Sequence, residues 1–476
     1  MRRLFGLAMV LAAGSCLAGR PASGAAEALE VGLAVADITP PLNYRMSGYF
    51  HERLSTGVHD PLLAKAIALG QGDRQAVLVI CDLIGLPREL TVHVRDLAER
   101  ETGIPAANIL LAATHTHTGP LYFGAMRKHL HDLAVAGKGD DPAEAVDYPA
   151  QLIERLVRVI ADAQSARRPV AVSAGVARQE GLSFNRRFHM KSGGPVRFNP
   201  GKLNPDILRP AGPIDPDVGL LLFCDADGRP LGSLTVFALH LDTVGGPEYS
   251  ADYPYYLQRS LRAGLGEGFV SVFANGTCGD INHVDVSHDR PQKGQDEARR
   301  IGETLAATVR AKLGELAGVS PSLDVGTETV DVPLQKYGDD EIAWAKEMMN
   351  RVDDPKVPFL DRVKAYKIVA LELLEGDTLP MTVQVFRIAG DVAIVALPGE
   401  VFVELGLAIK RQSPFATTMV IELAHDTPGY VPTRKAFAEG SYETVNSRVA
   451  PGGGEMLVDA AVRLLNELKT EARGSK

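Results

Sequence analysis

Cysteine is scarce in this sequence: four residues in 476, one of them, Cys16, close to the N-terminus. The other three, Cys81, Cys224 and Cys278, are an odd number, too sparse for a disulfide framework even in an oxidising compartment. Their spacing matches no cysteine-ligated metal centre. Long apolar runs are missing beyond the N-terminal leader, so no later segment is expected to span a bilayer. An excess of positive charge is missing as well. The formal charge is −9 at pH 7, and it becomes more negative if Arg2, Arg3 and Arg20 leave with the leader, which excludes a basic face for nucleic acid. Internal repeats and low-complexity linkers are not legible, so the length is compatible with one large catalytic unit.

The chain opens with "MRRLFGLAMVLAAGSCLAG", two arginines followed by an apolar stretch too short and too rich in small residues for a membrane span. "PASGAAEA" then offers cleavage sites near Gly24 or Ala26. The pattern predicts a signal peptide over residues 1–26 and a secreted or periplasmic protein. Cys16 raises a lipid-anchor alternative, which the lack of leucine three residues before it weakens.

From about residue 30 apolar strands alternate with amphipathic helices. "QAVLVICDLIGL" reads as a strand, "ELTVHVRDLAERE" as a helix, "NILLAATHTHTGP" as a strand buried on both faces, and "YPAQLIERLVRVIADAQSA" as a helix. Further strands are expected at "VAVSAGVAR", "VGLLLFCD", "LGSLTVFALH", "FVSVFAN", "MTVQVFRIAG", "DVAIVALPG" and "TTMVIELAH". A charged segment at about 338–376 reads as a helical insertion broken near Pro355 and Pro358. "GGGEMLVDAAVRLLNELK" reads as a closing amphipathic helix. The expectation is a layered α/β catalytic domain with a mixed sheet and its site at strand carboxyl ends.

Polar clusters follow several of these strands. His115 and His117 are two apart, so on a strand they would share one face, about 6–7 Å apart by strand rise. His240 follows another strand, Glu400 stands after a Pro-Gly turn, and Asp280, Asn282 and His283 follow a third. Each alone also reads as an ordinary structural residue: a hydrogen-bonded histidine, a helix N-terminal carboxylate or a turn aspartate. Together, two imidazoles and a carboxylate form a zinc set that leaves room for water and substrate, as a hydrolase requires. A different grouping, Asp82, His115, Asp280 and His283, would suit a two-metal phosphoesterase, but no "GNH[DE]"-type stretch follows.

"VGLAVADITPP", "THTHTGP", "FNRR", "ALHLDT", "LPGEVF" and "GYVPT" followed by "GSYE" occur in an order and at a spacing that resemble the neutral (non-lysosomal) ceramidases, secreted zinc amidases. The likeness runs from about residue 30 to 445. It implies His115, His240, Glu400 and Tyr430 as zinc ligands, and His117, Arg186 and Tyr442 as groups that contact the reacting part of the substrate. The resemblance thus divides the labour of the two neighbouring histidines.

Two departures stand out. Asn282 occupies the place of a serine in the ceramidases, and His283 that of a proline. An asparagine cannot be the nucleophile, which favours metal-activated water, with Asn282 orienting substrate. The sequence also ends some thirty residues after Tyr442, so residues 27–476 are expected to form the hydrolase domain without the C-terminal immunoglobulin-like domain of that family. The reading is a zinc-dependent hydrolase of a linear amide, ceramide or another N-acyl compound, with a small-molecule or lipid substrate. A relative cleaving an ester or glycosidic bond is the alternative, and a non-catalytic binding protein a more distant one.

Overall fold

The computed structural model describes residues 28–352 and 354–474. The signal peptide expected over residues 1–26 therefore lies outside the described residues. Three mixed sheets carry the fold, and all three use one topology. In the first, strands Glu30–Asp37, Leu63–Gln71 and Arg74–Cys81 pair antiparallel, and Ile109–Ala113 then joins the last of them in parallel. In the second, Ala171–Arg178, Asp217–Cys224 and Pro230–Phe237 do the same and Val270–Asn275 closes in parallel. In the third, Pro321–Pro333, Thr378–Ala389 and Val392–Ala396 are followed by parallel Thr417–Ile421. Each parallel step crosses over through a helix: Arg88–Thr102, Tyr253–Leu265 or Val403–Gln412.

Side-chain alternation explains how the layers meet. Leu78, Ile80, Leu110, Leu234, Val236, Val272, Ile394 and Ile421 point inward and build one core shared by the three sheets. Their neighbours point outward onto helices. Val77, Val79 and Leu111 pack against Leu90, Val94, Leu152 and Leu156. Leu220, Leu222 and Phe273 pack against Leu257, Leu261, Ile301 and Leu305. Val385, Val395 and Val420 pack against Leu405, Ile409, Leu464 and Leu465. Both faces of the central strands are dry, which is why they read as unbroken apolar runs rather than alternating ones.

The expected strands form, and the segment around Pro355 and Pro358 is two helices, Asp339–Met348 and Phe359–Glu372, as the prolines predict. The helix Gln295–Leu313 was not legible. Its buried stripe includes Ala298, Gly302 and Ala306, small residues that give weak periodicity, and a Cβ at Gly302 would meet the Tyr253 carbonyl oxygen at 2.5 Å.

Hydrogen bonds knit the carboxyl ends of the three parallel strands together. Ala113 N donates to Leu423 O at 3.2 Å and His425 N to Leu111 O at 2.8 Å. Glu422 N donates to Asn275 O at 3.1 Å, and the Asn275 carboxamide to Thr114 O at 3.2 Å. One edge of the molecule therefore gathers the residues that follow strands from all three sheets.

Candidate active site

The strand before the two histidines stops at Ala113, so His115 and His117 lie in the loop beyond it and not on one strand face. His115 has φ of 74°, a left-handed conformation that turns the chain there. This corrects the spacing expected from an extended strand: the rings stand edge to face with centroids 5.0 Å apart. Strand rise therefore does not hold His117 away from a metal bound by His115. Ring nitrogens of His115, His117 and His240 lie within 4.8 Å of one another.

Two of these imidazoles have a defined direction. His115 Nδ1 is 2.7 Å from Ile84 O, and a carbonyl only accepts, so Nδ1 carries a proton and, in the neutral ring that a metal requires, Nε2 presents a lone pair. His240, three residues past its strand, brings Nε2 to 3.1 Å from that Nε2. Glu400 completes the triangle, with Oε2 at 3.3 Å from His115 and 3.8 Å from His240. The Pro-Gly turn before it needs glycine, because Gly399 has φ of 80° and a Cβ there would meet Gly429 O at 2.8 Å. Glu400 Oε2 and both ring nitrogens of His117 are buried without a hydrogen-bond partner.

Charge is distributed unevenly among these groups. Burial, with the charge of His115 adding to it, pushes the His117 imidazole down to about 3 and His240 well below its ordinary value. Burial also opposes protonation of His115, but the Glu400 carboxylate beside it outweighs burial and raises it. Glu400, which burial alone would raise, is held below the usual carboxylate range by His115.

A second wall adjoins this triangle through Tyr430, the strand partner of Glu400. Arg186 donates from Nη2 to the Tyr430 hydroxyl at 3.0 Å and to Gly279 O at 2.7 Å, and from Nε to Glu443 at 3.1 Å. Burial keeps the Tyr430 phenol well above its ordinary value, despite Arg186. Tyr442 lies edge to face against Tyr430 at 5.4 Å and packs on Phe198 at 4.7 Å. Asn282 is placed differently. Its Nδ2 donates to Asn199 at 3.0 Å and its Oδ1 accepts Val284 N at 3.0 Å, so the carboxamide anchors the loop carrying Phe198.

The grouping considered for a phosphoesterase does not assemble. Asp82 accepts from Leu63 N, Asp280 from Asn185 and Val403 N, and His283 bridges Asp242 and the Gln292 carbonyl. Several neighbours escaped the sequence reading. Asp242, two residues after His240, is paired with His283 at 3.1 Å. Glu443 anchors Arg186 and Arg187, Tyr49 lies edge to face on His117 at 5.7 Å, and Cys278 and Glu422 sit behind His240. A carboxylate directly after the apolar run of a buried strand, as in "TTMVIE", was the available signal for Glu422.

Known proteins resemble this chain in sequence and in fold. The family profile described as neutral/alkaline non-lysosomal ceramidase, N-terminal, matches residues 29–283, more than half of the chain. The neutral ceramidase of Pseudomonas aeruginosa is 25% identical over 516 residues, covering 92% of this chain and 72% of that protein. The neutral ceramidase of Mycobacterium tuberculosis is 24% identical over 491 residues, covering 87% and 73%. The crystal structure of the Pseudomonas aeruginosa enzyme superposes with a TM-score of 0.71 at 22% identity, over 94% of this chain and 75% of that one. A structure of ceramidase complexed with C2 gives 0.69 at 20% identity, over 94% and 76%. The fold is shared.

Proposed function

The chain belongs to the neutral/alkaline non-lysosomal ceramidase family, and from that premise we propose that it is a secreted zinc-dependent hydrolase of a linear amide, ceramide or another N-acyl compound. One observation carries the metal reading. Two imidazole nitrogens 3.1 Å apart, one of them free to bear a lone pair once neutral because the other nitrogen of its ring holds the proton, share their position with a carboxylate oxygen that has no hydrogen-bond partner. Such a set of donors fits a divalent cation with nitrogen and oxygen preference. His115, His240, Glu400 and Tyr430 would hold the ion. Zinc bound there would supply the Lewis acidity that activates water and polarises a carbonyl.

The remaining work falls to side chains of the two walls. His117 is neutral at working pH, so one ring nitrogen can donate to an oxygen that gains charge during attack. Arg186, fixed by Glu443 and Gly279, offers a positive charge, and Tyr442 presents a hydroxyl between aromatic neighbours. Asn282 acts on substrate orientation through Asn199 and the Phe198 loop, and supplies no nucleophile. Among the described residues no helix is long and apolar enough to cross a membrane, and the secreted location rests on the leader.

The test separates the two neighbouring histidines. His115→Ala should lose zinc and amide hydrolysis together. His117→Ala should keep about one zinc per chain yet lose about 10²–10³-fold in turnover on an N-acyl substrate, the scale of one missing oxyanion donor. Equal zinc loss in both variants would make His117 a ligand, as the 4.8 Å grouping of the three histidines permits. Turnover of esters or aryl glycosides without amide hydrolysis would overturn the proposed reaction.

A further inference from the structure

Behind His240, away from Glu400, lies a buried chain of groups that the proposed reaction does not use. His240 Nδ1 is 3.8 Å from the Cys278 sulfur. That thiol donates to Glu422 Oε1 at 3.0 Å. The other oxygen, Oε2, accepts the backbone N–H of Cys278 at 3.1 Å and of Val401 at 2.7 Å. His240, Cys278 and Glu422 are all at most 1% exposed, so water does not substitute for any of these partners. The three residues follow strands of two different sheets, and Val401 adjoins Glu400.

The hydrogen bonds have a direction. Two N–H donors occupy Oε2, so the carboxylate, when ionised, faces the thiol through Oε1 as an acceptor. A thiol has one proton. Committed to Glu422, it leaves only sulfur lone pairs toward His240, and a lone pair there requires the imidazole proton on Nδ1. Nε2 is then free to present its own lone pair toward His115 and Glu400. His115 reaches the same state through the Ile84 carbonyl. We propose that Glu422 and Cys278 form a positioning relay that sets the tautomer of His240 and, through the Val401 N–H, steadies Glu400, so that both turn their lone pairs to the metal position. The inference rests on the metal reading of the site.

Zinc affinity of the purified chain above pH 8, where Glu422 is ionised, measured by competition with a chromophoric chelator, tests the relay, with the visible spectrum of the cobalt-substituted protein as a second readout. Glu422→Gln keeps the volume but places an amide NH₂ against the sulfur. The thiol proton then turns to His240, the imidazole takes its other tautomer, and zinc affinity falls about 10–100-fold, the usual scale for a lost outer partner of a metal histidine. Cys278→Ala weakens zinc similarly, whereas Cys278→Ser, which both donates and accepts, stays near the parent and keeps the cobalt spectrum. Glu422→Gln added to Cys278→Ala causes no further loss, because no thiol remains to reverse. A purely structural role predicts the opposite: lower melting of the metal-free protein, additive losses, and unchanged zinc affinity in variants that fold. That pattern, or equal affinity of the serine and alanine variants, would overturn the relay even if Glu422→Gln failed to fold. Lack of zinc binding by the parent protein would instead overturn the metal reading itself, and the relay with it.

Discussion

Two clusters in this molecule look alike by spacing and differ in what neutralises them. Ligand atoms of His115, His117 and His240 lie within 4.8 Å of one another, and so do those of His131, Asp141 and Glu144. In the second cluster, Arg45 Nη1 sits 2.5 Å from Asp141 and 3.4 Å from Glu144, Arg127 holds both oxygens of Glu144, and His131 pairs with Asp141 at 2.8 Å. A cation would have to displace guanidinium groups already fitted to those carboxylates. In the first cluster Arg186 is near, but its donors go to Glu443, Gly279 and Tyr430, and Glu400 Oε2 is left without a donor. Convergence nominates a metal site. Unpaired lone pairs at the point of convergence separate it from an ion-pair network.

The largest effect expected from this contrast is loss of metal. His240→Ala or Glu400→Ala should remove most of the zinc from the purified chain, while Asp141→Asn and Glu144→Gln leave the zinc content unchanged, as elemental analysis would read. Zinc that follows the second pair of variants would reverse the assignment.

A smaller effect, on stability, should come from the second cluster. Arg45→Met strips a guanidinium whose side chain is 4% exposed from carboxylates that are 2% and 7% exposed. Breaking a buried pair of this kind costs about 3–5 kcal/mol, measurable by urea unfolding. If added zinc restored that stability, the vacated carboxylates would be binding it, and the two clusters would differ only through their arginines.

The smallest effect is a slope in pH. Burial pushes Glu422 up to about 8 in the metal-free protein, from an ordinary glutamate value of 4.5. Between those values the folded state holds a proton that the unfolded chain has released. Stability therefore falls as pH rises through that window, by at most about 1.4 kcal/mol per pH unit for one group. Glu422→Gln should flatten this slope in thermal unfolding of the metal-free chain. An unchanged slope would assign the proton to another group.

Much of the architecture was legible because the central strands are dry on both faces. Runs such as "AVLVIC" and "NILLAA" report burial directly, and Pro355 and Pro358 report the break between two helices. The recurrence of one topology in three sheets was not legible, since apolar strands of this kind carry no mark of which sheet they join. Within the site, the motifs nominated His115, His240 and Glu400, and the fold brings them within 3.8 Å of one another. Their partners were hidden by distance along the chain: Arg186 and Glu443 are 257 residues apart, and Cys278 and Glu422 are 144 apart. The left-handed turn at His115 was hidden for another reason, since it is a backbone state that surrounding hydrogen bonds impose on a residue with no strong preference for it.

The sequence by itself determined the alternation of elements, the apolar faces that had to be covered, and the placement of polar clusters just after strands. These properties follow from local periodicity and from the cost of leaving apolar surface in water. Only the tertiary structure decided which clusters meet, because that depends on hydrogen bonds between the carboxyl ends of strands from three sheets. It also decided which convergent groups stay unpaired. Pairing is a property of every neighbour at once, and a buried lone pair without a donor exists only after the whole chain has closed around it.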